Sequence, residues 1–223
     1  MPFFRRLRRA EPQPAPPAEP ERPPEPVAPP LALKLWATII AGLDRGDQSV
    51  ILLPGGRAEA PERVEADRFY LYPLFEEQRH ELLLPEFREL LVEQAPLEDA
   101  GAGRVSMRHW VRVSDVRRIE KEAALEALAP FLVVDPLRYP REALGWQPGE
   151  TLWVLVVRVF RMRQPRSVPW REAYAAPGRW VTLDAEDARE LPPEPPAGFE
   201  ICISDTAFSH DRGEILKALA PFA

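Results

Sequence analysis

The stretch that most constrains this chain is TLWVLVVRVFRM, residues 151–162, which is apolar on both of its alternating faces. A strand with one wet side alternates apolar and polar residues, and a surface helix keeps a polar stripe. A β-branched run that is apolar on both sides belongs in the middle of a sheet, covered above and below. The chain must therefore supply material to both faces of that strand. One residue breaks the run: Arg158, on the face shared with Val154, Val156 and Phe160. A guanidinium in such a place is either paired by an acid of the same chain or lines a pocket that receives an anion. The residues alone leave both open.

The rest of the pattern mixes helices and strands without a repeating strand–helix–strand unit, so an α+β fold is expected rather than a doubly wound sheet. LALKLWATIIAGL places Leu33, Trp36, Ile39, Ile40 and Leu43 at helical spacing, followed by the turn DRGDQ and the short strand SVILLP. RFYLY reads as a strand stopped by Pro73, and LFEEQRHELLLPEFRELLVEQ as helical with a break at Pro85. From Val105 to Val113 the period is two, with Val105, Met107, His109, Val111 and Val113 on one face and Ser106, Arg108, Trp110 and Arg112 on the other. VRRIEKEAALEALA reads as a helix, FLVVD as a short strand, and Asp135-Pro136 as the start of a brief helix. Short strands near Val168, at RWVTL and at FEICIS precede a closing helix, SDTAFSHDRGEILKAL, capped by Ser204 or Asp205. Ahead of all this, residues 11–30 alternate proline with glutamate and alanine, which removes backbone donors and fixes φ. The expected organisation is a disordered proline-rich arm over residues 1–30 and a single mixed-sheet domain with flanking helices over residues 31–223. The arm is a stiff spacer or a docking segment for a protein partner.

With 223 residues, 45% of them hydrophobic, the chain is long enough to bury one core. A net charge of −6 argues against indiscriminate attraction to nucleic acid or an anionic membrane, though a local basic groove stays compatible with it. No stretch reaches the roughly 18 apolar residues of a membrane span, and MPFFRRLRR is not followed by a hydrophobic region, so no membrane partner and a cytoplasmic setting are expected. The one cysteine, Cys202, rules out an intrachain disulfide and reads as a small buried hydrophobe. Twenty-eight prolines, no asparagine and three lysines suit either a heat-adapted protein or a GC-rich genome.

Most chemistry-bearing motifs are missing. Pro54-Gly55-Gly56-Arg57 follows a strand but opens a loop instead of a helix, which is a turn rather than a phosphate cradle. FRELLVEQAP resembles the Nudix helix only in outline: Val92 and Ala95 stand where paired glutamate and glycine are required, and His80 stands at the upstream glutamate. No lysine follows an acid by two positions on a strand, as a restriction-nuclease-like site would need. His80, His109 and His210 are scattered, so no metal site is expected. His109 is either a hydrogen-bonded core histidine or a general base. Trp110, Trp146, Trp153, Trp170 and Trp180 are core or rim residues, or platforms for stacking bases. Arg161, near the strand end, reads as part of a solvated edge.

Taken together, LALKLWATIIAGL, VILLPGG, FYLYPLFEEQ, LWVLVVRVFRMRQP with VPW, RWVTL and ISDTAF resemble the bacterial DUF1802 family, from Leu31 to about Leu219. Lys34, Trp36, Phe69, Tyr72, Pro73, Glu76, Gln78, Arg158 and Trp180 match that family's pattern. Glu77 departs from it where histidine is expected, and so does Pro54-Gly55, where a basic residue usually precedes glycine. The family carries no established activity, so the resemblance implies boundaries but no chemistry. A shorter resemblance, Leu31 to Gly56, is to the opening of ASCH/PUA-like barrels, which bind RNA or modified bases; the basic–acidic signature that follows in those barrels is missing.

The expected function is a module that binds a small ligand or nucleic acid, with Lys34, Trp36, Tyr72, Glu76, Gln78, His109, Arg158 and Trp180 as the binding residues. Arg158 and the Glu76–Gln78 segment would form the pocket for an anionic or nucleotide-like ligand. Catalytic residues and cofactors are not assigned by the sequence. The alternatives are a metal-dependent phosphodiester or nucleotide-processing enzyme built on Glu76, and a scaffold that recruits partners through the proline-rich arm.

Overall fold

The computed structural model describes residues 30–57, 60–61, 64–76, 78–91, 103–189, 191 and 198–222. The proline-rich arm, Pro30 apart, and Glu77 lie outside the described residues. In chain order the elements are β1 (Leu31–Trp36), α1 (Ala37–Arg45), β2 (Val50–Pro54), β3 (Gly56–Arg57), β4 (Ala60–Pro61), β5 (Arg68–Leu74) and β6 (Arg104–Ile119). There follow α2 (Glu122–Ala127), α3 (Arg138–Glu142), β7 (Leu152–Pro169), α4 (Glu172–Ala175), β8 (Trp180–Thr182), α5 (Ala185–Ala188), β9 (Phe199–Ile201) and α6 (Asp205–Leu219).

β7 is the strand that the apolar run demanded. It lies between β2 and β6 in a seven-stranded sheet of order β2-β7-β6-β5-β1-β8, with β9 pairing β7. The sheet is mixed: β1 and β5 run parallel, and the other neighbours are antiparallel. Both faces are covered, as the run required. One core gathers Ile39, Ile40 and Leu43 of α1, Leu125 of α2, and Ile215 and Leu219 of α6 against Val154, Leu155 and Val156. A second core holds Tyr70, Tyr72, Met107, Trp110, Met162, Val168, Tyr174, Val181 and Phe199. The molecule is α+β with a mixed sheet and flanking helices.

Several sequence expectations shift in register or type. The opening helix starts only at Ala37, because Leu31–Trp36 adds a strand between β5 and β8 and so satisfies its backbone groups in the sheet. That helix ends at Gly46, whose φ of 82° is the left-handed cap, and a Cβ there would run into Ile203. Residues 80–87 form two short 3-10 turns, His80–Leu82 and Pro85–Phe87, instead of an amphipathic helix. FLVVD forms no strand; Val134 makes one isolated bridge to Leu83. The helix expected from Val116 begins at Glu122, since Val116–Ile119 continue β6 and pair with Leu152–Leu155. Lastly, the pairing of β6 with β7 shifts register between Met107 and His109, where Met107 meets Arg166 and His109 meets Arg161, and the faces of β6 switch there. Val105 and Met107 enter the second core while Val111 enters the first, so the single face expected to carry all five residues is split in two.

Candidate functional site

The parallel pair β1–β5 aligns Lys34 with Tyr72, and alternation along the strands puts both on the side of the second core. Lys34 is 7% exposed. Its ammonium donates to the carbonyls of Ala176 at 2.6 Å and Tyr174 at 3.3 Å. Among the described residues no carboxylate lies within ion-pair distance of it. Burial and then the neighbouring charge of Arg179 pull the Lys34 pKa below its ordinary value. Arg179 is half-buried and likewise has no acid partner among the described residues. Two cations thus lie close together with no counter-charge from the described part of the chain. On the neighbouring strand the Tyr72 hydroxyl is buried without a hydrogen-bond partner among the described residues, and burial, followed by the charge of Tyr174, pushes its pKa up to about 12. A desolvated hydroxyl left unpaired is an unfavourable arrangement that a ligand or water oxygen relieves.

The backbone over Lys34 is tied down by a polar cluster that sequence inspection did not single out. The Tyr174 hydroxyl donates to Asp187 at 2.5 Å and accepts from the backbone N–H of Asp184 at 2.9 Å. Arg171 grips both oxygens of Asp187, at 2.7 and 2.8 Å, and also pairs with Asp184. That bidentate contact and then burial set the Asp187 carboxyl, which on balance lies below its ordinary range. A signal was present in the sequence: Tyr174 lies three residues after Arg171, and an acid pair at Asp184 and Asp187 follows the next strand. No one-dimensional pattern links the two segments.

The other predicted residues divide among three places. Trp36 is buried edge-on against Tyr139, with ring centroids 5.0 Å apart. Gln78 sits at the start of α1, where its side-chain carbonyl accepts from the Thr38 N–H at 2.8 Å and the Thr38 hydroxyl at 2.6 Å. It serves α1 as an N-terminal cap borrowed from another segment. Glu76 is exposed in the turn that follows β5. Trp180 packs edge-on against Phe69 at 4.9 Å, on the side of the first core.

His109 lies at the far end of α1, where its Nε2 is 2.7 Å from Asp44. Arg161, expected at a solvated edge, instead reaches the other Asp44 oxygen at 2.9 Å, and the Cys202 thiol approaches at 3.6 Å. Thr38 and Asp44 are six residues apart, roughly 9 Å along a helix axis, so Gln78 and His109 serve opposite ends of α1. Arg158, three residues from Arg161, is on the opposite face of β7. It is 3% exposed, donates to Asp205 at 2.5 Å and to the Ser204 carbonyl at 3.2 Å, and stacks 5.0 Å over Phe208. The chain's own acid neutralises it. The partners that hold Arg158 thus come from the start of α6 and do not include Glu76 or Gln78.

Comparison with known proteins gives one family. The sequence model described as Domain of unknown function (DUF1802) matches residues 32–205. Among solved structures, the ASCH protein of Zymomonas mobilis has a TM-score of 0.41 at 12% identity, over 72% of this chain and 92% of that one. A serine-to-alanine mutant of the same protein gives a TM-score of 0.41 at 13% identity over the same shares. No curated protein matches the chain.

Proposed function

Because the chain belongs to the DUF1802 family, which brings no activity with it, its function has to be read from its own residues, and we propose a binding module for a small anionic, nucleotide-like ligand. The observation that carries this reading is the buried Lys34 ammonium beside Arg179, with no carboxylate of the described chain to balance either cation. Burying a cation without a counter-ion costs free energy, and a fold that keeps one in place suits an anion from outside. A phosphate has the charge for two cations and the oxygen lone pairs to take a bond from the Tyr72 hydroxyl. The half-buried Arg179 and the exposed Ala175–Gly178 segment beside it give the approach route. In the free protein the carbonyls of Tyr174 and Ala176 hold the ammonium in position.

A metal-dependent phosphodiester enzyme would need acids gathered near Glu76. Among the described residues no three histidine, cysteine, aspartate or glutamate side chains come together in a way that suits a metal, so that reading gains no support. The partner-recruiting arm lies outside the described residues.

The test is thermal unfolding with and without inorganic phosphate and the common nucleoside monophosphates. A ligand at about a hundred times its Kd stabilises the native protein by roughly 2.7 kcal/mol. Lys34→Met should melt at or above the wild-type temperature, since it removes a buried uncompensated charge, and yet lose the response to ligand. Arg179→Gln should keep the basal melting temperature and weaken the response. A wild-type protein indifferent to all these anions, or a Lys34→Met variant that still responds, would end this reading.

A further inference from the structure

The buried Lys34 nitrogen carries an inference that deepens the anion-binding reading and rests on it. An ammonium has three N–H donors and no lone pair, whereas the free amine has two donors and one lone pair. Among the described residues Nζ finds two acceptors, the carbonyls of Ala176 and Tyr174, and both are uncharged. They satisfy the amine fully, while the ammonium keeps one N–H and its charge unmatched by the described chain. Burial, and then the charge of Arg179, favour the same form by lowering the Lys34 pKa. With both N–H groups engaged, the lone pair of the amine is left free to react. Ala176, which offers the closer carbonyl, is exposed, so the nitrogen lies just beneath the surface.

Two neighbouring strands set what flanks Lys34. The register pairs it with Tyr72 of β5, and on the other side its backbone N–H donates to the Arg179 carbonyl at 2.8 Å, next to the Leu33↔Trp180 pair of β8. Side chains directly opposite one another leave a sheet on the same face, from strands about 5 Å apart. Lys34 is thus flanked by a cation on one strand and, on the other, by a buried hydroxyl with no partner among the described residues. We propose that Lys34 forms a Schiff base with a small aldehyde or keto compound bearing an anionic group, the anion held by Arg179 and the carbonyl oxygen by the Tyr72 hydroxyl. The amine lone pair attacks the carbonyl carbon, a C–N bond forms as the C=O π pair moves to oxygen, and one N–H proton follows to give a carbinolamine. The second N–H proton and the new hydroxyl then leave as water while the C=N bond closes, so no oxidant or reductant enters. Tyr72 stays protonated at neutral pH and so can donate to that oxygen throughout. An acyl donor fits less well, because attack by an amine ends in a stable amide rather than a reversible imine.

Reductive trapping on the full chain tests this. Glyoxylate, an anionic aldehyde, and acetaldehyde, a neutral one, are each incubated with the protein near neutral pH and cyanoborohydride, which delivers hydride to the C=N bond. Peptide mass spectrometry then locates the labelled lysine. The chain has three lysines, and the exposed Lys121 and Lys217 serve as internal standards for ordinary amines. With glyoxylate, Lys34 should be trapped at least about tenfold faster than either standard, and with acetaldehyde the advantage should be smaller. Arg179→Gln should slow trapping by glyoxylate about tenfold, and Tyr72→Phe should slow trapping by both probes. The wild-type comparison needs no variant, so it holds whatever those substitutions do to folding. Trapping of Lys34 no faster than of Lys121 and Lys217 overturns the proposal, as does an equal advantage with both probes. So does an unchanged rate at Lys34 in folded Arg179→Gln or Tyr72→Phe. Stabilisation by phosphate in thermal unfolding, together with no preferential trapping at Lys34, would keep the anion-binding reading and remove the Schiff base.

Discussion

Asp44 gathers three polar side chains from three strands or their ends: His109 of β6, Arg161 of β7 and Cys202 just past β9. Burial alone would raise its pKa, but the hydrogen bond and charge of His109, and after them Arg161, hold it at about 2. The sign of the pH effect follows. A carboxyl whose folded pKa lies below its unfolded value of about 3.9 contributes stability above that value, and loses it as pH falls towards the folded pKa near 2. Asp44→Asn should therefore cost on the order of 1–2 kcal/mol in urea unfolding at pH 7, with the gap from wild type closing as the pH is lowered from about 4 towards 2. A gap that stays constant down that range would show that Asp44 does not carry the charge described. Burial first, and then the Asp44 carboxylate, push the Cys202 thiol up to about 12. The thiol thus stays protonated at neutral pH, and iodoacetamide should label it at least about a hundredfold more slowly than an ordinary exposed cysteine. Mass spectrometry against time measures the ratio, and labelling at the ordinary rate would place the thiol in a different environment.

At the scale of elements, the sequence revealed those parts of the fold whose signal is carried along one segment. β7 was legible because its apolar run is long and two-sided, and α6 because Ser204 caps it, accepting from the Ala207 N–H. The parts that were not legible depend on partners distant in sequence. Leu31–Trp36 has helical spacing but forms a strand, because β5 and β8 offer it hydrogen bonds on both sides. Val116–Ile119 has helical composition but pairs with the start of β7. The switch of faces in β6 at its register shift against β7 leaves no trace in a period-two pattern. The candidate site was legible only in part for the same reason: Tyr72 lies in a strand that could be read, whereas Lys34 lies in the one that reads as helix, and Arg179 and the Tyr174–Asp187 cluster meet them only through folding. Gln78 shows how such a distant contact holds an element. Trp36 gives α1 no side-chain cap, and Gln78 supplies one from another segment. Gln78→Ala should cost about 1–3 kcal/mol in urea unfolding, since it leaves the buried Thr38 N–H and hydroxyl without an acceptor. Gln78→Glu keeps an oxygen there and places negative charge at the helix start, so it should recover most of that loss. Equal losses for both variants would show that Gln78 acts through packing rather than as an acceptor.

Across the whole molecule, α6 is what closes the sheet, through polar contacts on three strands and apolar ones in the first core. Arg212 grips both oxygens of Asp115 on β6, at 2.5 and 2.9 Å, Asp211 accepts from Ser49 beside β2, and Ile215 and Leu219 enter the core. Asp205, the first residue of α6, meets Arg158 of β7, and the two sides of that ion pair are unequal: the Arg158 side chain is 3% exposed and the Asp205 side chain 93%. Desolvation therefore falls almost wholly on the cation. Removing the cation also removes its desolvation cost, and a methionine can keep the apolar contact with Phe208. Removing the acid leaves the guanidinium buried with, among the described residues, the Ser204 carbonyl and the Phe208 ring as its remaining polar and stacking partners. The expected order is the reverse of what a simple count of lost contacts gives. Arg158→Met should stay within about 1 kcal/mol of wild type or exceed it, while Asp205→Asn should lose roughly 1–3 kcal/mol, less than a fully buried pair because water reaches the acid. Asp205→Asn should also become sensitive to sulfate or phosphate, since an anion from solution can replace the missing carboxylate, and chemical unfolding in the presence and absence of sulfate reads both effects. If Arg158→Met proves the more damaging of the two, the guanidinium is contributing favourable binding to the fold that its burial does not cancel, and α6 is held to β7 mainly by charge.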